Sequence, residues 1–334
     1  MAYDRPALTV DALVLCGQGA DMMILVIERA QDPCRGRWAL PGGFVEAYEA
    51  PSAAVGRELL EETGLQLPAA RGTTLTLRAR KGRDPRGWTV SQPYLFWLEG
   101  PVGVVAGDDA KRAEWVRLSE LGPLAFDHGA ILCEGLGRFW FDMPLARCAG
   151  AAGVKGFGVP ERKIAAPLFF GGTFAPWHEG HRAAIETCTV RDRIVVVPDY
   201  NPFKDAPAVE CFYQHYRHIQ DEALLLGVPV FPGFCGIERP NPSYYWLREL
   251  ESHPSLLLGA DSFMALRRWT ESDRLLKLLK EIHVAHRQVD DAALQEEARI
   301  MQGLAPSLRI FFQAHHPFED RSGTALRSIG KVSL

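Results

Sequence analysis

Three carboxylates stand out by spacing. Glu58, Glu61 and Glu62 lie at i, i+3 and i+4 within the stretch GFVEAYEAPSAAVGRELLEETGL, residues 43–65. On a helix that spacing sets all three on one face. Like charges so placed repel, and a divalent cation removes the repulsion; oxygen donors suit Mg²⁺ or Mn²⁺. Taken without its surroundings, RELLEE could equally be a solvated helix face. A second set lies further on. After the apolar run PLFF come Gly171, Gly172, Thr173 and Phe174, then His178 and His181. Glycines at a strand end let backbone approach a phosphate, and histidines at i and i+3 across a helix start can reach one anion with help from the helix dipole.

Each set needs elements to hold it. Pro51 and Ser52 suit the start of the carboxylate helix and Gly64 its stop. Ahead of it, residues 8–16 and 23–28 are apolar and β-branched, joined by GQGAD, and read as a hairpin of strands. Residues 73–80 and 89–98 read as another strand pair, and 129–143 as a closing helix. CAGAAGVKGFGVPERK, residues 148–163, is rich in Gly and Ala and reads as a linker. Beyond it, short apolar strands at 164–170, 194–198, 228–231, 255–258, 282–285 and 308–312 alternate with helical stretches, the pattern of βαβ units on a parallel sheet. The expected domains are therefore 1–147 and 164–334.

Gly43, Glu49, Arg57, Glu58, Leu59, Glu61, Glu62, Gly64 and Leu65 together closely resemble the Nudix box. That resemblance implies an α/β/α sandwich with a loop–helix–loop metal site, where metals bridge a pyrophosphate and activate water. Glu58 and Glu62 would be the main ligands, and Glu61 a third ligand or the base that orients the water. Arg57 would pair with Glu49 and hold the loop. GRDPRGWTVS, residues 82–91, and LAFDH, residues 124–128, resemble the ADP-ribose pyrophosphatase branch of that family. Arg86 or Arg83 could grip a phosphate there, although Asp-Pro-Arg-Gly is also good turn chemistry. Glu114 is a further candidate base.

The order strand, glycines, HxGH, helix resembles the nucleotidyltransferase superfamily, and residues 164–328 resemble its nicotinate mononucleotide adenylyltransferases. The implied fold is Rossmann-like with a parallel sheet. NPFKD carries Lys204 as a phosphate contact. LLGADSFMALRRW places Asp261 near the nucleotide and Trp269 against a pyridine ring. RSGTALRS supplies Ser322, Thr324 and Arg327 as a second phosphate motif. The implied reaction is in-line attack of a mononucleotide phosphate on the α-phosphorus of ATP, with Mg²⁺ assisting. Ala175 stands where relatives usually carry Asp or Asn, Phe203 where they carry His, and Tyr245 where they carry Thr, in a segment 243–250 that is shorter than usual. These departures predict slower transfer to the mononucleotide.

Composition bounds the rest. The chain has 334 residues, enough for two domains, with 47% hydrophobic and 23% charged residues. A formal net charge of −4 gives no polybasic signature, so nucleic acid is not an expected partner. Seven scattered cysteines without a Cys-x-x-Cys pair fit reduced thiols in the cytoplasm. No run is long enough for a membrane span and no signal peptide is visible. The expected partners are small nucleotides: ADP-ribose, ATP and a pyridine mononucleotide. Oligomeric state stays open, a homo-oligomer included. His315 and His316 read as structural, and DDAALQEEAR, residues 290–299, as a solvated helix face. The expected function is a bifunctional enzyme of NAD metabolism. The alternatives are an active hydrolase with an inactive or differently specific second domain, and an NAD-metabolite sensor.

Overall fold

The structure is a computed structural model. It describes residues 5–17, 21–107, 110–138, 164, 166–199, 211–237, 240–250 and 253–321. The chain divides into two compact units. The first comprises Met1–Val159, Pro207–Tyr216 and Pro232–Glu238, and the second Pro160–Ala206, Arg217–Phe231 and Arg239–Leu334.

In the first unit a mixed sheet is built around β1 (Ala7–Cys16). It pairs antiparallel with β2 (Met23–Arg29) and with β4 (Gly42–Phe44), and parallel with β6 (Thr89–Leu98). β3 (Trp38–Ala39) and β7 (Ala110–Arg117) pair with β2, and β5 (Thr73–Thr74) with β6. Of the strand expected over 73–80, only Thr73–Thr74 forms, with an isolated bridge from Arg78 to Ser91. From Thr9 onward β1 is buried on both faces. Side chains alternate across a strand, so its even and odd residues meet different helices. Val10, Ala12, Val14 and Cys16 pack on Ala54, Val55 and Leu59 of α1 (Pro51–Thr63). Leu13 faces α2 (His128–Gly137), where a Cβ on Gly135 would lie 2.2 Å from Leu13 Cδ2. The sheet is thus sandwiched between two helices, as the resemblance implies.

Pro51 occupies the first turn of α1, and Gly64 ends it at φ 67° with its N–H donating to Leu60 O. The next carbonyls, of Glu62 and Thr63, would be orphaned at the helix end. They accept from Gly107 N at 3.1 Å and Val105 N at 2.9 Å. The approach is close: a Cβ on Gly107 would sit 1.7 Å from Glu61 O.

The second unit holds a wholly parallel sheet in the order β12-β11-β10-β8-β9. Its strands are β8 (Leu168–Gly172), β9 (Ile194–Pro198), β10 (Ser255–Gly259), β11 (Glu281–Ala285) and β12 (Arg309–Phe312). β9 and β11 are buried throughout, as parallel strands covered on both faces must be. Its helices are α3 (Glu179–Glu186), α4 (Phe212–Leu224, which starts in the first unit), α5 (Ser243–Leu247), α6 (Ala260–Ala265), α7 (Ser272–Leu278) and α8 (Asp291–Leu304). The expected strand over 228–231 is instead a single bridge from Val196 to Val230. Pro229 has no N–H, so a ladder cannot propagate through it. The chain runs outward from β8 to β9 and then returns to the other side of β8 for β10. That reversal makes a crevice at the carboxyl ends of β8 and β10, where open α/β sheets bind ligands.

Among the described residues, no helix is long and apolar enough to cross a membrane. Leu59 is fully buried between α1 and β1. Replacing it with Ala should cost about 2–5 kcal/mol in transfer and cavity terms. Urea unfolding of the first unit would show this as an earlier midpoint at unchanged slope; an unshifted midpoint would contradict the packing described.

Candidate active sites

The carboxylate face of α1 lies against β4, and β4 has almost no side chains to keep it away. Gly42 N–H donates to Glu62 Oε2 at 2.8 Å. A Cβ on Gly43 would stand 2.5 Å from Glu58 Oε1 and 2.6 Å from its Oε2. Gly42 itself sits at φ 158°, where a Cβ would run into Val10 O. Two glycines therefore form a cradle that holds one carboxylate and makes room for another.

Arg57 organises the rest. It forks onto Glu49 through Nε and Nη2, both at 2.9 Å, and reaches Phe44 O at 3.0 Å. Its Nη1 bonds Glu58 Oε1 at 2.9 Å and Glu61 Oε2 at 3.0 Å. The fork holds the Glu49 carboxyl down at about 2, helped by Glu46 N–H. Glu58 moves the other way: burial raises its pKa, and Arg57 offsets that only in part. A half-buried, all-oxygen donor set whose charge is incompletely compensated fits a hard divalent cation. The expected Arg57–Glu49 pair is present.

The two arginines offered for the substrate part company. Arg83 is buried and forks onto Asp127 at 2.9 and 2.7 Å, so its donors serve the fold. Arg86 forks onto Asp84 and lies over the rings of Phe44 and Phe126, at 5.2 and 5.6 Å. Arg29 also lies over the Phe126 ring, at 4.9 Å. Burial first, then the charge of Arg86, lowers the pKa of Arg29, while Glu62 raises it. Two guanidinium groups close enough to repel, beside Glu62 and flanked by aromatic rings, suit an anion. Phe44 and Phe126 fall inside the segments singled out by motif, whereas Arg29 belongs to none. The one local signal was an Arg at the end of an apolar strand. Glu114 lies on β7 and pairs with Arg112 at 3.2 Å.

Asp127 and His128 of the LAFDH segment belong to a buried network. Leu40 N–H donates to His128 Nδ1 at 2.9 Å, so the ring proton sits on Nε2, which lies 3.3 Å from Asp11 Oδ1. Ser91 donates to Asp11 Oδ2 at 2.5 Å. Burial pushes the Asp11 carboxyl up, but His128, Arg83 and Ser91 together bring it down to about 2. The network fixes Leu40, two residues ahead of the glycine cradle.

In the second unit, β8 ends at Gly171 and Gly172 in the crevice beside β10. A Cβ on Gly172 would touch the Phe174 ring at 3.2 Å. His178 caps α3, and its N–H donates to His181 Nδ1 at 3.3 Å. The two rings stack at 3.7 Å, and Phe174 and Trp177 pack on His181 at 4.9 and 5.4 Å. Neither ring nitrogen of buried His178 has a hydrogen-bond partner among the described residues. Burial, with Arg287 and Arg321 nearby, lowers its pKa to about 4. It is therefore a neutral donor at pH 7, and an incoming phosphate would raise its pKa. Asp261, the second residue of α6, is exposed and lies 3.8 Å from Arg287 Nη1, and Trp269 is half-buried after the turn that follows. Arg287 was overlooked; it also donates to Arg321 O at 3.1 Å. Thr173 is half-buried beside the glycines. Lys204, Ser322, Thr324 and Arg327 lie outside the described residues, as do Phe203 and the linker expected over 148–163.

Comparisons with known proteins find relatives of two kinds. The NUDIX domain family matches residues 5–134. An ADP-ribose pyrophosphatase of Methanocaldococcus jannaschii is 42% identical over 130 residues, covering 39% of this chain and 73% of the relative. The ADPR responsive transcriptional repressor NtrR of Acinetobacter baylyi is 33% identical over 140 residues, covering 41% of this chain and 55% of the relative. A probable nicotinate-nucleotide adenylyltransferase of Stenotrophomonas maltophilia is 31% identical over 195 residues, covering 48% of this chain and 84% of the relative.

The glycine cradle can be tested without any substrate. Gly43→Ala places a methyl group against the Glu58 carboxylate and should weaken Mn²⁺ binding by roughly 10–100-fold, the scale at which displaced metal-site geometry acts. Titration followed by the electron spin resonance of free Mn²⁺ measures it. Unchanged affinity would show that Glu58 is not a ligand.

Proposed function

We infer that this chain, which belongs to the Nudix family in its first part and to the nicotinate-nucleotide adenylyltransferase family in its second, is an enzyme that hydrolyses ADP-ribose at one site and adenylylates a pyridine mononucleotide at the other. The observation that carries the first activity is the glycine cradle with Glu58 and Glu62 set in it and Arg57 locking it to Glu49.

In the hydrolytic reaction, a water oxygen bonds to one phosphorus of the diphosphate and the bridging oxygen leaves with the other. AMP and ribose 5-phosphate are the products. Glu58 and Glu62 would hold Mg²⁺ or Mn²⁺, which supplies charge neutralisation and a more acidic water. Glu61 would be a third ligand or accept the water's proton; Arg57 bonds both Glu58 and Glu61 and restrains their rotation. Arg29 and Arg86 would grip the diphosphate oxygens, and Phe44, nearly half exposed, offers a face to the nucleoside or ribose.

In the transfer reaction, a phosphate oxygen of the mononucleotide attacks the α-phosphorus of ATP and pyrophosphate departs. Gly171 and Gly172 let backbone approach the triphosphate. His178 and His181 donate hydrogen bonds to it, and Lys204, Ser322, Thr324 and Arg327 would complete the charge compensation. Asp261 and Trp269 would contact the nucleotide and the pyridine. The altered residues Ala175, Phe203 and Tyr245 favour slow transfer, because misplacement of the attacking oxygen by about 1 Å can lower a rate around a hundredfold.

Similarity to a repressor raises a regulatory reading for the first part. The complete set of Glu58, Glu61 and Glu62 favours hydrolysis instead.

Two variants separate the sites. With Mg²⁺ and ADP-ribose, the chain should release AMP and ribose 5-phosphate in equal amounts. Glu62→Gln should lower that rate by roughly a thousandfold or more through loss of a metal ligand, leaving transfer intact. His181→Ala should suppress pyrophosphate release from ATP and nicotinate mononucleotide, with hydrolysis unaffected. Normal hydrolysis by Glu62→Gln would reject the first assignment. Absence of ATP binding by the wild-type chain would reject the second.

A further inference from the structure

The second unit carries a group of metal-type ligands that neither reaction uses. His286 directly follows β11, Asp291 opens α8, and His315 lies three residues past β12. Their donor atoms all fall within 4.8 Å of one another. His286 Nδ1 is 3.4 Å from Asp291 Oδ1, and His315 Nε2 is 3.4 Å from Asp291 Oδ2. Ligand atoms at bonds of about 2 Å around a tetrahedral ion stand about 3.3 Å apart. The two contacts of Asp291 are therefore close to the spacing of a coordination shell and looser than a good hydrogen bond, while the two histidine nitrogens fall within 4.8 Å of each other.

Two further observations point to a ligand. His286 is 5% exposed, yet its Nδ1 has no hydrogen-bond partner among the described residues. A buried polar atom left without a partner calls for an explanation, and an ion supplies one. His315 meanwhile holds Glu319 Oε1 at 2.7 Å through its Nδ1, and His316 N–H donates to that same oxygen at 3.2 Å. The Glu319 carboxylate on one ring nitrogen orients the ring, and the other nitrogen, 3.4 Å from Asp291 Oδ2, faces the candidate site and must give up its contact with that oxygen to bind an ion. Metal-binding histidines are oriented in this way.

We propose that His286, Asp291 and His315 form a second metal site, selective for a divalent transition ion of the zinc class, with Glu319 as its orienting carboxylate. Two imidazoles and one carboxylate match borderline ions rather than Mg²⁺, whose preferred donors are the oxygens of Glu58 and Glu62. Three protein ligands leave a fourth position for water. The rings of His286 and His315 now stack at 3.9 Å and must turn apart to share an ion. Binding would tie together the ends of β11 and β12 and the start of α8. That steadies the segment holding Arg287, which reaches Asp261 and Arg321 O in the crevice.

The test uses the full chain and Zn²⁺ in competition with a chromophoric chelator, with Co²⁺ as an optical probe. The background is Glu58→Gln/Glu62→Gln, which disables the carboxylate helix. That double variant should still bind about one equivalent of Zn²⁺ and give the visible absorption of a low-coordinate Co²⁺ centre. Adding His315→Ala or Asp291→Asn should abolish both signals. Both positions are largely exposed, so the fold should tolerate them, and circular dichroism checks it. Glu319→Gln should weaken Zn²⁺ by roughly 10–100-fold without removing it. In the otherwise wild-type chain, His315→Ala should leave ADP-ribose hydrolysis unchanged. The proposal is overturned if the double variant binds no Zn²⁺, or if folded His315→Ala and Asp291→Asn bind it as tightly as their parent.

Discussion

The approach of two glycines to a helix face is the constraint on which the first unit depends. β4 fits between β1 and the carboxylates of α1 because Gly42 presents hydrogen where a Cβ would meet Val10 O, and Gly43 presents hydrogen where a Cβ would meet the Glu58 carboxylate. The same closeness lets Gly42 N–H bond Glu62 and so fix its rotamer. A site for a hard cation needs its oxygens held before the ion arrives, since ordering them afterwards would cost binding energy. Here a backbone N–H orders Glu62, and Arg57 orders Glu58 and Glu61.

Charge balance makes that arrangement tolerable. Arg57 meets Glu49, Glu58 and Glu61 at once, so the acidic face is partly compensated in the absence of metal. Beneath the cradle, Asp11, Arg83, Asp127 and His128 form a buried set whose members satisfy one another. Such a set is costly to break, because removing one partner leaves a buried charge. It carries its rigidity to Leu40 by a single hydrogen bond, and from there the chain passes directly into the glycines. In the second unit the equivalent positioning comes from topology: the reversal between β8 and β10 brings Gly171, Gly172 and Gly259 to one end of the sheet.

How much of this could be read from the sequence depended on range. The face shared by Glu58, Glu61 and Glu62 follows from helical period alone, and Pro51 and Gly64 bound the helix where local chemistry says they should. Their apolar, β-branched content likewise placed β1 and β2. Arg83 and Arg86 could not be separated, because only the fold puts Asp127 beside one and aromatic rings beside the other. Arg29 and Arg287 carried no motif; their meaning lies in neighbours distant in sequence. The apolar run at 228–231 looked like a strand because hydrophobicity does not register the missing N–H of Pro229. His315 read as structural because its partners, His286 and Asp291, come from two other elements.

The central claim is that the carboxylate helix, set in its glycine cradle, is the metal-binding catalytic centre of the first unit. Anomalous diffraction from crystals grown with Mn²⁺ and a non-hydrolysable ADP-ribose analogue tests it most directly. The account predicts Mn²⁺ peaks coordinated by Glu58 and Glu62, with the diphosphate between the metal and the guanidinium groups of Arg29 and Arg86. Mn²⁺ bound elsewhere, or the diphosphate seated away from α1, would contradict it.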